Sequence, residues 1–284
     1  MHRLLVALLA VAAAMVSALP ARAGDDLRVA SFNIRYGTAD DGPDAWPLRR
    51  DKVVETIADL DADLVGLQEA LPFQIGFLLE HLPRYGATGV SREDGKTDGE
   101  ASPILYDRTR FTLAASGTFW LSDTPDEAGS NTWGAACTRI CTWARLVDLK
   151  TGRAVYHFNT HFDHVNQPAR EKSAALILQR IASRAANEPV VLTGDLNAGE
   201  NNAAVHALLT GEVGLTDTYR AIHPSGMSGT FTGFKLDSEG GDRKIDYVLI
   251  GPGLRATGAG IETRKIDGRY PSDHFPVWAA LGFE

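Results

Sequence analysis

The strongest local signal in the sequence is Val-Val-Leu-Thr-Gly-Asp-Leu-Asn at residues 190–197. Its first half is a short apolar run, which is typical of a buried strand. Because side chains alternate along a strand, Asp195 and Asn197 are expected to point the same way at its end. A carboxylate and an amide held together after a buried strand indicate a functional site.

Polar residues also follow other predicted strands. Asn33 ends one apolar run, Glu69 follows Leu-Val-Gly-Leu-Gln at 64–68, and His161 ends Asn-Thr-His at 159–161. Each residue alone has an ordinary interpretation. A strand-end asparagine usually caps a turn, a lone histidine is usually structural, and Glu69 fits a salt bridge as well as a metal ligand. Together, they indicate a site built on the ends of strands.

Asp273 and His274 lie side by side in Ser-Asp-His-Phe-Pro at 272–276, just before the last predicted strand. Histidine is the side chain that most readily gains or loses a proton near neutral pH. His274 is therefore the best candidate for a general acid or base.

Strand-like and helix-like segments alternate along the chain, with no tandem repeat or linker between them. The pattern predicts strands at 27–34, 64–68, 103–106, 111–120, 140–148, 154–160, 190–193, 245–250 and 277–281, and helices at 48–60, 73–82 and 168–186. The second half repeats the strand, helix and strand order of the first half. We therefore expect mixed α/β layers with one site between them.

Six short motifs occur in order: Ser-Phe-Asn at 31–33, Leu-Gln-Glu at 67–69, Asn-Thr-His at 159–161, Gly-Asp-Leu-Asn at 194–197, Lys-Ile-Asp-Tyr at 244–247 and Ser-Asp-His at 272–274. With these motifs the sequence resembles the endonuclease/exonuclease/phosphatase superfamily of DNase I-like, metal-dependent phosphoesterases. Residues 268–277 are similar to a bacterial secreted branch of it. The resemblance implies an α/β four-layer sandwich, in which two mixed β-sheets pack face to face with helices outside.

The resemblance also implies a metal site. Asn33 and Glu69 would hold Mg²⁺ or Mn²⁺, with Asp273 as a further ligand or a residue close to the ligands. These ions prefer hard oxygen ligands, and the motifs contain no Cys/His cluster of the kind that binds zinc.

The remaining motif residues would carry the chemistry. Asp195 would orient or deprotonate the attacking water, and Asn197 and His161 would hydrogen-bond the phosphoryl oxygens. Asp246 would accept a hydrogen bond from His274, fixing its tautomer and raising its pKa. His274 would then contact the phosphoryl group or act as an acid or base.

Four further residues have both a functional and an ordinary interpretation. Tyr106 matches a family tyrosine that reaches the phosphate, or is a core tyrosine at a strand end. Arg139 fits a phosphate contact or a surface salt bridge, and His164 fits a substrate contact or a supporting role. Phe231 matches a family position that lines the leaving-group pocket, or is a core phenylalanine.

The N-terminus carries Arg3, an apolar run over 4–19 and Ala-Arg-Ala at 21–23. This is the pattern of a cleaved secretory signal peptide at 1–23, and the run is short for a membrane anchor. We therefore expect a secreted or periplasmic protein with one catalytic domain at 24–284. Two cysteines, Cys137 and Cys141, would then face an oxidising compartment, either as a disulfide or as two free thiols.

The formal net charge is −8, and it becomes −10 without the two signal-peptide arginines, Arg3 and Arg22. An acidic protein does not favour nucleic acid or an anionic membrane, so a small phosphoester is the favoured substrate and a monomer the expected state. The basic cluster of Trp46, Arg49, Arg50 and Lys52 keeps a nuclease open as an alternative.

Three other functions are less favoured. A sphingomyelinase-like lipid phosphodiesterase would need an apolar hairpin, and the segment 122–136 is mostly small and polar. A non-catalytic binding module is disfavoured because all eight motif residues are present. A serine hydrolase is disfavoured because Gly-Met-Ser-Gly at 226–229 is one residue short of a nucleophile elbow.

Overall fold

The computed structural model describes residues 26–238 and 243–284, so the signal peptide expected at 1–23 lies outside the described residues. The strands within those residues are β1 (Leu27–Asn33), β2 (Leu64–Gln68), β3 (Tyr85–Thr88), β4 (Ile104–Asp107), β5 (Phe111–Trp120), β6 (Ile140–Asp148), β7 (Ala154–His161), β8 (Val190–Asp195), β9 (Thr216–Asp217), β10 (Asp246–Ile250), β11 (Leu254–Ile261) and β12 (Val277–Phe283). The helices are α1 (Trp46–Leu60), α2 (Pro72–His81), α3 (Gln167–Ala182), α4 (Ala203–Thr210) and α5 (Thr218–Ile222), with a 3₁₀ turn at Gly42–Asp44.

The strands form two six-stranded sheets. The first has the order β11-β12-β1-β2-β4-β3, and the second has the order β5-β6-β7-β8-β10-β9. Each sheet contains one parallel pair, β1 with β2 and β7 with β8, and its other neighbours are antiparallel. Helices α1 and α3 make the two crossovers that parallel neighbours require. The predicted repetition of strand, helix and strand is confirmed.

Both faces of the central strands are buried, which explains their nearly continuous apolar sequences. Along β1, Leu27 and Val29 enter the core between the sheets, while Ala30 and Phe32 pack with Val53 of α1 on the other face. The second sheet repeats this arrangement and packs its outer face against α3 and α4. The α/β four-layer sandwich with helices outside is confirmed.

A cluster of polar side chains, which we call the polar bridge, joins the two sheets inside the core. It consists of Gln68, Asn159, Thr193 and His157. Gln68 Nε2 and Thr193 Oγ1 donate to Asn159 Oδ1 at 2.7 and 2.9 Å, and Asn159 Nδ2 donates to the carbonyl of Leu67 at 2.7 Å. These bonds tie the ends of β2, β7 and β8 together just beneath the polar strand ends.

Several short elements were not predicted. β11 contains Gly258 and Gly260 and has a register shift between Ala256 and Gly258, so it lacks the usual strand pattern. α4 has only eight residues, although Asn202 caps it by accepting from Ala204 N. The helix predicted to end near 186 ends at Ala182.

Both cysteines are free thiols, which is one of the two alternatives left open by the sequence. Cys137 is partly exposed, and burial raises the pKa of Cys141. Across 26–238 and 243–284, no helix has the length and apolar character needed to cross a bilayer.

Candidate active site

The parallel ends of β1 and β2 bring Asn33 and Glu69 together. Asn33 lies opposite Gln68, so Glu69 follows at the same edge of the sheet. Asn33 Nδ2 donates to Glu69 Oε1 at 3.1 Å, and the Tyr36 amide donates to Oε2 at 3.1 Å. Glu69 has a φ of +59°, a left-handed conformation that costs roughly 1–3 kcal/mol for a residue of this kind. The surroundings therefore fix this carboxylate against an intrinsic backbone preference.

The parallel ends of β7 and β8 supply the second group. His161 lies opposite Asp195 in the register. Asn197 also has a positive φ, +46°, and its amide nitrogen Nδ2 lies 2.9 Å from His161 Nε2. The backbone amide of Asn197 donates to Asp195 Oδ1 at 2.9 Å. Asp195 and Asn197 therefore lie together at the end of β8, but Asn197 is two residues beyond the strand, so this backbone conformation brings them together and not the predicted strand alternation.

Asp246 and His274 complete the set. β10 runs antiparallel to β8 and places Asp246 opposite Asp195. His274 precedes β12, and its Nδ1 donates to Asp246 Oδ2 at 2.9 Å. Its other ring nitrogen, Nε2, lies 3.7 Å from Asp195 Oδ2. The predicted contact between Asp246 and His274 is present.

One carboxylate oxygen, Asp195 Oδ2, is the point at which these groups meet. It accepts from Asn33 Nδ2 at 3.0 Å and lies 3.5 Å from His161 Nε2 and 3.7 Å from His274 Nε2. Asn33 comes from the first sheet and His161 from the second. The site therefore lies at the seam between the sheets.

The charges of the buried groups are strongly coupled. Burial and the neighbouring Asp246 raise the pKa of Asp195 to about 7. Burial, reinforced by the charges of Arg139 and Arg92, holds the pKa of His161 well below its usual value. Although burial opposes it, the carboxylates of Asp246 and Asp195 raise the pKa of His274 well above its usual value. The site therefore pairs a neutral imidazole with a protonated one near pH 7.

Asp273 is held next to the first group. Ser272 Oγ donates to the Asn33 carbonyl at 2.7 Å, and Asp273 Oδ2 lies 3.9 Å from Arg35 Nε. Burial raises the pKa of Asp273, although the charge of His274 opposes the shift. The three predicted metal ligands, Asn33, Glu69 and Asp273, therefore lie at one edge of the first sheet.

These residues fit a divalent cation with one adjustment. Glu69 and Asp273 offer hard carboxylate oxygens. Asn33 turns its Nδ2 towards Glu69 and Asp195, while its Oδ1 accepts from the Arg35 amide at 2.9 Å. Rotation of the amide by 180° would exchange these two atoms and present Oδ1 to the metal.

A second arrangement of possible ligands is less suitable. Asp195, Asp246 and His274 have ligand atoms within 4.8 Å of one another. A histidine must lose its proton to bind a metal, whereas His274 faces two carboxylates and has a raised pKa. This triad is therefore less suited to a metal ion than the carboxylates of Glu69 and Asp273.

Two predicted substrate-binding residues lie beside the site. Arg139 lines a small pocket with Glu69 and His161 and is only 5% exposed. Its Nη2 donates to His164 Nδ1 at 3.1 Å, but its Nε has no hydrogen-bond partner within the described residues. A buried guanidinium that lines a pocket beside the site is suited to an anionic ligand. The Nε of Arg139 lies 3.9 Å from Asp163 Oδ1, so Arg139 does form a salt bridge, but a buried one and not the surface salt bridge of the alternative interpretation.

The other two predicted substrate-binding residues differ in placement. Phe231 lies beside His274, with ring centroids 5.0 Å apart in an edge-to-face arrangement. Tyr106 pairs with Leu64, four residues before Gln68, so it lies about 13 Å along the sheet from the site. The expected phosphate contact of Tyr106 is wrong, because β4 runs antiparallel to β2 and carries this side chain to the far end. There it packs beside the core between the sheets.

Three charged residues near the site, Arg92, Glu100 and Arg49, were not predicted to belong to it. Arg92 and Glu100 line the same pocket as Arg139, in a polar segment whose Asp-Gly pairs at 94–95 and 98–99 indicated only turns. Arg49 is 2% exposed and donates to the carbonyls of Ile34 and Pro271 at 2.6 and 3.1 Å, which ties the Asn33 strand to the Asp273 segment. In the sequence, Arg49 is a charged residue in a predicted amphipathic helix, and this position gave no sign of its role.

The basic cluster that kept a nuclease open as an alternative does not form a continuous exposed surface. Trp46 and Arg49 are buried. Arg50 lies over the ring of Phe77 at 4.7 Å, and Lys52 Nζ pairs with Asp267 at 2.6 Å. Of the three cations in this cluster only Arg50 is exposed, so the cluster gives a nuclease little support.

Comparisons with known proteins agree with this geometry. The model of the "Endonuclease/Exonuclease/phosphatase family" matches residues 30–274. The endonuclease/exonuclease/phosphatase structure from Bacteroides vulgatus is 37% identical, with a TM-score of 0.86, over 92% of this chain and 100% of that one. The mannosyl-6-phosphatase structure from Bacteroides thetaiotaomicron is 34% identical, with a TM-score of 0.83, over 90% and 100% of the two chains. Protein R895 of Acanthamoeba polyphaga mimivirus is 23% identical over 87% of this chain, which spans only 42% of its length.

Proposed function

Because the chain belongs to the endonuclease/exonuclease/phosphatase family, we propose that it hydrolyses a small phosphorylated compound in a reaction that depends on Mg²⁺ or Mn²⁺. The observation that carries this proposal is the set of contacts around Asp195 Oδ2. Asn33, His161 and His274 all approach this one oxygen, and Glu69 lies next to Asn33. A phosphoryl group placed there meets a base, two imidazoles and the metal ligands at once.

Each residue of the site has a separate role in the proposed hydrolysis. Asp195, whose pKa is about 7, aligns the attacking water with phosphorus and takes a proton from it. As the new P–O bond forms, the bond to the leaving oxygen breaks, and that oxygen takes a proton from solvent and leaves as the alcohol. Asn197 and His161 contact the phosphoryl oxygens, and the protonated ring of His274 balances their growing negative charge.

A divalent cation held by Glu69, Asn33 and Asp273 would supply Lewis-acid stabilisation of the same charge. Arg49 supports this arrangement from behind, since it fixes the backbone of both ligand segments. Its charge lies near Asp273 and Glu69, and burial lowers the pKa of Arg49 to about 10.

Two observations support a small phosphoester as substrate. One of the similar structures is a mannosyl-6-phosphatase. In addition, the protein carries a formal charge of −8, which opposes the binding of polyanions. A lipid substrate is not favoured, because Trp133 in the 122–136 segment donates to Asp123 at 2.7 Å and lies beneath Lys172. This indole is held against the protein and not presented to a membrane.

We also propose that the protein is exported after cleavage near residue 23 and acts as a monomer. The N-terminal pattern supports export. A single chain contributes every group of the site, which supports the monomer.

The purified protein should hydrolyse p-nitrophenyl phosphate or hexose 6-phosphates, lose this activity with EDTA and regain it with Mg²⁺ or Mn²⁺. Plasmid DNA, bis-p-nitrophenyl phosphate and sphingomyelin serve as comparison substrates. Full turnover by a sample shown to be metal-free by elemental analysis would rule out the metal-dependent mechanism. Faster turnover of plasmid DNA than of every small phosphate would rule out the substrate class.

A further inference from the structure

A second pocket lies on the outer face of the second sheet, away from the candidate active site. Its volume of about 510 Å³ is that of a typical small-molecule site. Side chains of β5, β6 and β7 line one side of it, and the end of α3 with the segment after it lines the other. Along β7, Tyr156 points away from the core between the sheets that Val155 enters, and it lies about 17 Å before His161. The pocket is therefore separate from the catalytic groups.

Four aromatic side chains line this pocket: Phe119, Trp143, Tyr156 and Phe158. The ring centroids of Trp143 and Tyr156 are 6.2 Å apart, and those of Tyr156 and Phe158 are 6.4 Å apart. Trp143 lies opposite Gly117 of the edge strand β5, where a Cβ would come within 2.8 Å of the indole nitrogen. The indole is thus held against the backbone of β5. Such a wall is suited to an aromatic ring.

One polar group of the pocket lacks a partner. Tyr156 is only 3% exposed, and its hydroxyl makes no hydrogen bond to any residue that the structure describes. Tyrosine hydroxyls in buried positions usually have a partner, and a missing one costs free energy. A ligand with a hydrogen-bond acceptor would remove this cost. The hydroxyl of Tyr156 therefore indicates a ligand with a polar group.

The charges around the pocket favour an anion. Three arginines line it, Arg145, Arg180 and Arg184, and among these described lining residues there is no carboxylate. Arg145 is paired with Glu188, which lies just outside the lining. Arg184 donates only to carbonyl and amide oxygens. Arg180 pairs with Asp126, whose side chain is 79% exposed, so solvent screens this pair strongly. The rim of the pocket therefore carries positive charge.

These features together distinguish between classes of ligand. A sugar presents many hydroxyls, but besides the three guanidinium groups only Tyr156, Trp143 and Ser183 offer polar side-chain atoms in the lining. A plain hydrocarbon would leave the Tyr156 hydroxyl without a partner and would not use the positive rim. An aromatic ring with one anionic group satisfies the rings, the hydroxyl and the charges at once.

We propose that this pocket binds a small aromatic compound that carries one carboxylate or a similar anionic group. The ring packs on the four aromatic side chains, the anionic group interacts with the arginines of the rim, and one acceptor oxygen receives the Tyr156 hydroxyl. The proposal does not depend on the hydrolytic reaction. Its failure would therefore leave the proposed function unchanged.

The first test uses the wild-type protein with 2-naphthoate and with 2-naphthamide, an uncharged analogue of nearly the same shape. Calorimetric titration in EDTA prevents a divalent cation in the active site from holding the carboxylate. We expect one site per chain with a Kd below about 1 mM, and about 5-fold weaker binding of the amide or less. Absence of saturable binding, equal affinities of the two probes, or displacement of 2-naphthoate by excess inorganic phosphate would overturn the proposal.

The second test removes the unpartnered hydroxyl. Tyr156→Phe keeps the ring and should weaken the binding of 2-naphthoate by about 3-fold or more. Tyr106→Phe is the matched control, because Tyr106 is a partly buried tyrosine of the first sheet that does not line this pocket. It should bind 2-naphthoate like the wild type. Unchanged affinity in Tyr156→Phe, with circular dichroism confirming the fold, would overturn this mode of binding.

The third test removes one charge from the rim. Arg180 lies over the ring of Phe119 at 5.3 Å, and Arg153 lies over the ring of Phe283 at 5.2 Å but does not line the pocket. Arg180→Gln should weaken the binding of 2-naphthoate by about 3-fold or more, whereas the matched control Arg153→Gln should leave it unchanged. Equal affinities of these two variants would overturn the proposed recognition of an anion at the rim.

Discussion

At the residue scale, Asp246 shows how much of the site depends on one buried charge. Its Oδ2 accepts from His274 Nδ1 at 2.9 Å. Within the described residues its Oδ1 has no hydrogen-bond partner. A buried carboxylate with only one partner is costly unless that partner is charged. The carboxylate of Asp246 therefore favours the protonated form of the His274 ring and raises its pKa, although burial of the ring opposes this.

Asp246→Asn should fold normally and lower turnover by about 10²- to 10⁴-fold. Asparagine keeps the shape of the side chain but cannot stabilise a positive ring at His274. Turnover is measured across a pH series, with circular dichroism as the control for folding. Wild-type turnover with an unchanged pH profile would show that the pairing has no catalytic role.

His157, in the polar bridge, should make the folded state sensitive to acid. Its Nε2 lies 2.8 Å from Thr193 Oγ1, and burial lowers the pKa of the ring to about 3. Below pH 6.5 the unfolded chain binds a proton here that the folded chain does not. Stability therefore falls as the pH drops from about 6.5 towards 3, by up to about 1.4 kcal/mol per pH unit.

Urea unfolding of the wild type and of His157→Gln at pH 7 and pH 5 measures this contribution. Between these two values the wild type should lose about 2 kcal/mol more than the variant. His206→Gln, which replaces an exposed histidine, serves as the matched control and should behave like the wild type. Parallel losses in the wild type and His157→Gln would show that His157 does not cause the acid sensitivity.

At the scale of elements, the sequence was informative wherever a strand is buried on both faces. β2 and β6 begin and end where their apolar runs predicted, and the polar residues after β1, β2, β7 and β8 all converge. β3 and β11 were missed because they lie at or near sheet edges, where one face is solvated and glycine is tolerated. Sequence pattern thus identified the strands that build the site better than those that border it.

Gly66 in β2 is required by the polar bridge. A Cβ at this position would lie closer than 3 Å to Thr193 Oγ1 and Asn159 Oδ1, both of the second sheet. Gly66→Ala should therefore force the sheets apart and destabilise the protein by at least about 2 kcal/mol. Thermal or urea unfolding gives the measurement.

The control for that change is Gly76→Ala in α2, where a Cβ meets nothing within 4 Å. Because alanine is favoured over glycine in a helix, this variant should be more stable by about 0.5–1 kcal/mol. A Gly66→Ala protein as stable as the wild type would mean that the sheets can adjust their spacing freely.

At the scale of the whole molecule, the site exists only because two sheets meet. Motif order allowed its residues to be identified, but not the pocket of Arg92 and Glu100. That pocket depends on the contact between Ala70 and Ala101, which are 31 positions apart, in a segment without periodic pattern. The phosphate contact expected for Tyr106 was wrong for the same reason, since the sequence does not show whether β4 runs parallel or antiparallel to β2.

A metal that binds only the assembled site should stabilise the whole fold. At 100 times its Kd, Mg²⁺ should add about 2.7 kcal/mol, which raises the Tm by roughly 5–10 °C for a chain of this size. Glu69→Ala should abolish most of this shift. His274→Ala should keep the shift and lose turnover by about 10²-fold or more.

Thermal unfolding and calorimetric titration with Mg²⁺ separate these two roles. Ca²⁺-free buffers and a chelator control exclude trace metals. Loss of metal binding in His274→Ala, together with normal binding in Glu69→Ala, would show that the two assignments are reversed.

The order of strands in the first sheet also has a consequence for biogenesis. β12, the last strand of the described chain, lies inside that sheet between β11 and β1, whereas β5 to β10 form the second sheet from one continuous segment. During synthesis the second sheet can therefore assemble while the first still lacks an interior strand. Asp273 and His274 precede β12 by only a few residues, so a nascent chain lacks both the interior strand of the first sheet and these two side chains until the segment around β12 has emerged from the ribosome. The topology of the first sheet thus couples its completion to the assembly of the candidate site.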